Sequence, residues 1–275
     1  MRHDLLVTAH NPDLVWYTFT LVGCQAKIER ASEHIDELRG GLRGWASAQS
    51  LQEPYLSYES ASQMWLWRAP ELAQPPARFG AIFGDVVQNL RSCLDQLASG
   101  LVHSAGNEVT TAVKYPICHD IDEWNKRAHR CLPGVAGASL EAVREYQPFT
   151  NHPELGVLAS ISNVEKHRFA PPVSALQTSA TTADLQWLHP PAARVVHLAR
   201  VGGDATLHGH PVIAEARFDP PDVTPPPLMI PLSLAISFGL DDAGVGAVYL
   251  ANLEQMRDSV AGLLSRFGER PADQA

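Results

Sequence analysis

No stretch of this chain approaches the roughly 18 uninterrupted apolar residues that a membrane helix needs, although hydrophobic residues make up 45% of its 275 positions. Its most apolar early run, Leu14 to Val22, is too short to span and has neither a basic leader nor a small-residue cleavage site. A membrane protein is therefore not expected. Cysteine is scarce as well: Cys24, Cys93, Cys118 and Cys131 form no CxxC pair, so a disulfide framework is not expected and a reduced, cytoplasmic protein is. Positive charge is also in deficit. The formal net charge is −9, with only four lysines, at 27, 114, 126 and 166. Residues 1–169 carry 15 Lys/Arg against 19 Asp/Glu and the remainder 6 against 11, so neither part is basic. That excludes a broad electrostatic grip on nucleic acid and leaves room only for a local basic pocket.

Cofactor and nucleophile motifs are missing too. Gly134-Val135-Ala136-Gly137 lacks the Lys-Ser/Thr that completes a phosphate loop. Gly137-Ala138-Ser139-Leu140-Glu141 lacks the final glycine of a nucleophile elbow. Cys118-His119 and His129-x-Cys131 offer four soft ligands at a spacing that fits no common zinc pattern. No cofactor and no metal is expected.

The periodicity is informative. Steps of three and four through Leu21, Cys24, Ile28, Ala31, Ile35, Leu38 and Leu42 predict a helix of about 25 residues, weakened by Gly40, Gly41 and Gly44. Alternation over residues 54–68 predicts a β-hairpin with its turn near 60–62. Behind Pro75-Pro76, a second long helix runs from about Ala77 to Gly106, its stripe passing through Phe79, Phe83, Val86, Leu90, Leu94 and Leu97. Three shorter helices follow, with starts read from Asp120-x-x-Glu123, Ser139 and Asn151-x-x-Glu154. After residue 169, where 12 of the 21 prolines fall, alternation replaces the helical period. Strands are expected at 185–189, 195–201, 211–218 and 228–238, then a last amphipathic helix from Tyr249 to Phe267. Trp16, Trp65, Trp67 and Trp124 are better read as core than as pocket walls. The expected fold is α+β. A helical part over 1–170, with the hairpin inserted at about 54–68, packs on an antiparallel sheet over 171–275 closed by the last helix.

One polar constellation stands out. Arg91 and Asp95 lie one helical turn apart beside the apolar stripe, on a line with Gly84 and Ala98. Asn163 and His167 form a second i,i+4 pair, beside Lys166 and Arg168. A structural clasp explains the first pair, and dipole compensation at a helix C-terminus explains the cations. A phosphate site explains both together, because a fixed guanidinium fork suits such anions.

The pattern Gly84-Asp85-x-x-x-Asn89-Leu90-Arg91-Ser92-x-Leu94-Asp95, then Tyr115-Pro116-Ile117, Gln147-Pro148-Phe149 and Asn163-x-x-Lys166-His167-Arg168, resembles an uncharacterised family of bacterial proteins over about residues 20–170. No reaction comes with that resemblance. The helical part also resembles HEPN domains, some of which cleave RNA through Arg-x4-6-His. Here Gln96 stands five positions after Arg91, where that motif has histidine, so the ribonuclease chemistry is not implied. The expectation is a HEPN-like protein binding a small phosphate-bearing ligand or short single-stranded RNA, with no membrane partner and a homodimer possible. Asn89, Arg91, Asn163, Lys166 and Arg168 are its candidate ligand-binding residues. Two alternatives stand beside it: a small-molecule enzyme with His167 as general acid/base partnered by Asp95 or Glu165, or a purely structural interaction module.

Overall fold

The computed structural model describes residues 12–49, 54–70, 73–165, 173–177, 182–201, 210–230, 234–239 and 247–268. The fold is α+β, with six helices and antiparallel sheets among the described residues. In chain order these are α1 (Pro12–Ala48), β1 (Tyr55–Glu59), β2 (Met64–Arg68), α2 (Arg78–Ser104), α3 (Ile121–Cys131), α4 (Gly137–Glu145) and α5 (Pro153–Glu165). Then come β3 (Val173–Gln177), β4 (Gln186–Trp187), β5 (Arg194–Arg200), β6 (Val212–Asp219), β7 (Leu228–Met229), β8 (Leu234–Gly239), β9 (Ala247–Val248) and α6 (Leu250–Gly268).

Helices α1 and α2 are antiparallel and pack closely because small residues sit where they meet. A Cβ added to Gly100 would lie 2.5 Å from the Thr20 side chain, one on Gly23 2.1 Å from Gln96, and one on Gly41 2.6 Å from the Phe79 ring. Gly41 therefore admits Phe79 instead of ending the helix, and α1 continues through Gly44 to Ala48. Tertiary burial outweighs the roughly 1 kcal/mol that each helical glycine costs. The stripe from Cys24 to Leu38 and the inner face of α2 are buried in one core with Leu155, Leu158 and Ile161 of α5.

The last helix was expected to close the sheet. Instead its apolar side, Leu253, Met256, Val260 and Leu263, is buried in the helical core, and it packs on α1, α2, α4 and α5. Arg39 of α1 pairs with Glu254, and Arg266 with Glu145 at 2.9 Å. Two expected caps also moved. Ser139 lies inside α4, which starts from Ala136 without a side-chain cap. Helix α5 starts one residue later than Asn151 would place it, with Pro153 at its first position, where the missing N–H costs nothing.

The hairpin forms where the alternation placed it, with Tyr55 opposite Arg68 and Glu59 opposite Met64. It is not an isolated insertion. Strand β2 pairs with β6, giving a four-stranded sheet in the order β1-β2-β6-β5. Tyr58, Trp65, Ala216 and Leu198 share one face of that sheet with Leu56, Trp67 and Ala214. This face covers a second, smaller core with Phe218, Leu185 and Leu228. The span 228–238 divides into β7, paired with β4, and β8, which lies between β3 and β9. Phe238 of β8 stacks on Phe83 of α2 with ring centroids 4.2 Å apart, which carries that strand into the helical core. Trp45, near the end of α1, packs against both cores. No helix is long and apolar enough to cross a membrane among the described residues.

Candidate functional site

Arg91 and Asp95 meet on α2 as their spacing requires. Arg91 Nε donates to Asp95 Oδ2 at 3.2 Å and Nη2 to Oδ1 at 2.8 Å. The pair also grips the backbone of Tyr115: Arg91 Nη2 donates to its carbonyl at 3.0 Å, and its N–H donates to Asp95 Oδ1 at 3.0 Å. What comes close to the pair is thus the segment between α2 and α3, which lies outside any helix or sheet and whose backbone polar groups need partners.

That segment is held from its other side by the end of α4 and the residues after it. The Tyr115 ring is fully buried, and its hydroxyl donates to the carbonyls of Val143 and Tyr146 at 3.3 and 3.1 Å. Gln147, also buried, accepts from the Cys118 N–H at 2.9 Å and donates to the Val143 carbonyl at 3.0 Å. Burial pushes the Tyr115 phenol far up, so it stays neutral. The Tyr-Pro-Ile and Gln-Pro-Phe pieces are therefore partners in one clasp.

Next to this segment, Asp120 caps α3 by accepting from the Glu123 N–H at 2.7 Å. Glu123 reaches back to the His119 N–H at 2.9 Å and pairs with Arg127, which also donates to the Ile117 carbonyl at 3.4 Å. Burial opposes ionisation of Glu123, but the His119 N–H and the Arg127 guanidinium outweigh it and hold the carboxyl below its usual range. On the far side, Gly156 of α5 lets the His119 ring approach: a Cβ there would be 3.1 Å from its Cε1.

Between α2, the 114–119 segment, α3 and α5 lies a polar cleft of about 330 Å³, walled by Arg91, Asp95, Lys114, Arg127, Ser160 and Asn163 among others. Three cations (Arg91, Lys114, Arg127) face two anions (Asp95, Glu123), a net of +1 in a chain of net −9. Arg91 keeps Nη1, and Arg127 keeps Nε and Nη2, without a partner among the described residues. Lys114 and the Asn163 amide are exposed and likewise unpaired among those residues. The arrangement is rich in donors and suits an anionic ligand.

Of the residues singled out from the sequence, Arg91, Asp95 and Asn163 come together at this cleft. Asn89 does not: its Nδ2 turns back to the Asp85 carbonyl at 2.8 Å, because an asparagine within a helix can bond the carbonyl one turn before it. Lys166, His167 and Arg168 lie outside the described residues. Lys114, His119, Glu123, Arg127, Ser160 and Ser162 were not anticipated at a site, although Glu123 and Arg127 show the same i,i+4 signal as Arg91 and Asp95. Gln96 points elsewhere, across the Gly23 contact with α1.

The four cysteines are free and buried. Burial pushes the Cys118 thiol up to about 11, and Cys24 Sγ donates to the Cys93 carbonyl at 3.3 Å. Cys118 and Cys131 point inward while His119 and His129 are exposed. No group of three or more His, Cys, Asp or Glu side chains is arranged to hold a metal among the described residues. Nor does any described hydroxyl or thiol of the cleft bond an imidazole there. Comparison of the chain with family models, with curated proteins and with solved structures finds no match.

Proposed function

We propose that this is a HEPN-like binding protein whose cleft takes a small phosphate-bearing ligand. The observation that carries the reading is the local inversion of charge. A concave, donor-rich site of net +1 sits in a strongly acidic chain, at the lower end of the 300–1,000 Å³ usual for ligand pockets. Arg91 and Arg127 are the principal binding groups, with Lys114 and Asn163 beside them. Lys166 and Arg168, which follow α5 in the sequence, remain proposed ligand-binding residues. Asp95 is read as a positioning group, since both its oxygens already hold the Arg91 guanidinium and the Tyr115 N–H. The acidic balance favours a compact ligand over an RNA strand, which would need a longer basic track.

Titration with inorganic pyrophosphate, mononucleotides and a short single-stranded RNA, each at low and high salt, tests this. Mononucleotide or pyrophosphate binding that weakens roughly tenfold to a hundredfold in Arg127→Ala supports it, the range expected for lost charge-assisted hydrogen bonds. Tight RNA binding with a steep salt slope would assign the cleft to RNA instead, and no binding of any probe at low salt overturns the proposal.

A further inference from the structure

The two outer strands of the four-stranded sheet are treated differently by the sequence. Strand β5 carries Arg194, His197 and Arg200 and is broken in register between Val195 and His197. Charges and bulges of this kind keep an edge from pairing with another chain. Strand β1, Tyr55-Leu56-Ser57-Tyr58-Glu59, has neither device except the terminal Glu59, and it pairs with β2 in unbroken register. No strand pairs with its outer edge among the described residues. Three of the nine exposed large apolar side chains among those residues lie on it: Tyr55 at 47%, Leu56 at 40% and Tyr58 at 37%.

We propose that β1 is the homodimer interface, pairing antiparallel with β1 of a second copy about a two-fold axis at Ser57. The sequence of β1 is self-complementary in that register. Leu56 falls opposite the partner copy's Tyr58 and so extends the apolar row of Trp65 and Trp67 across the junction, while Tyr55 falls opposite Glu59. Tyr55 is itself aligned with Arg68. Each Glu59 thus joins a row that contains an arginine of the other copy, which gives the contact charge complementarity at both ends. The result is one eight-stranded sheet with a blunted β5 at each end. A five-residue pairing buries less than the ~1,200 Å² of standard stable interfaces, so the dimer is weak and dissociates on dilution through concentrations on the order of 10 μM.

Sedimentation equilibrium across a dilution series of the full chain tests this, with far-UV circular dichroism as the folding control. The expected result is a monomer–dimer equilibrium that the double variant Leu56→Lys/Tyr58→Lys, which sets lysine opposite lysine, shifts to monomer. Leu56→Lys/Tyr58→Glu sets lysine opposite glutamate and is expected to restore the dimer while losing the same aromatic ring. A wild-type chain that stays monomeric at high concentration overturns the proposal. So does a dimer unchanged by Leu56→Lys/Tyr58→Lys, which would place the contact elsewhere, or a charge-reversed pair that fails to restore it while remaining folded.

Discussion

The helical region around Tyr115 and the sheet around Trp67 bury their residues by different means. In the helical region, long stripes on α1, α2, α5 and α6 converge on one large core, and the polar groups that must enter it are met by named partners such as Gln147 and the Arg91–Asp95 pair. In the sheet region a few aromatic rings cover a small core: Trp67 and Trp187 at 5.8 Å, and Trp187 and Phe218 at 5.8 Å, with Trp45 of α1 as the bridge. The difference teaches where a binding site can be built. Rigid helices fix the cleft's side chains from several directions, whereas the sheet ends in β1, whose outer edge no strand joins among the described residues.

The largest expected effect tests the link between the regions. Phe83→Ala removes the ring that stacks on Phe238 and should cost about 3–5 kcal/mol in chemical denaturation. Hydrogen exchange should then quicken in β8 as well as in α2; loss of protection confined to α2 would show that β8 does not depend on the helical core. Gln147→Ala leaves the Cys118 N–H without its acceptor and takes one of two donors from the Val143 carbonyl, which keeps the Tyr115 hydroxyl, at a cost of about 1–3 kcal/mol. Because the 114–119 segment it holds forms one wall of the cleft, phosphate-ligand binding should weaken in that variant even at temperatures where it remains folded.

Two glycines in the α1–α2 pair sharpen the packing argument. Gly100→Ala forces a methyl group against Thr20 and should destabilise by about 1–3 kcal/mol. Gly40 has open space around it, so Gly40→Ala should stabilise by about 0.5–1 kcal/mol in thermal melts. Equal effects from the two would refute close contact at Gly100. The smallest effect concerns pH. Glu123 is held below its ordinary value of 4.5, so its contribution to stability is present above that value and is lost as the pH falls toward the folded one. Glu123→Gln should therefore lower stability at neutral pH and converge on wild type once the pH has fallen through the folded value.

Much of this was legible in the chain because it is local. The hairpin, both long helices, the Asp120 cap and the Arg91–Asp95 pair depend on residues within a turn or two of each other. The misreadings share a cause. Gly40, Gly41 and Gly44 look like a helix stop until Phe79 is seen to need Gly41, and residues 228–238 look like one strand until two sheets claim its halves. In each case the deciding contact is made by residues far away in the sequence.

By itself, then, the sequence determined the α+β class, the apolar stripes and the placement of Arg91 beside Asp95, since helical and strand periods follow from backbone geometry alone. Only the tertiary structure decided that Tyr115 would thread between that pair and Gln147, that Arg127 and Asn163 would face the same cleft, and that the last helix would leave the sheet for the bundle. Those outcomes are set by which buried backbone groups find partners and which apolar faces meet, and neither is a property of any one stretch of chain.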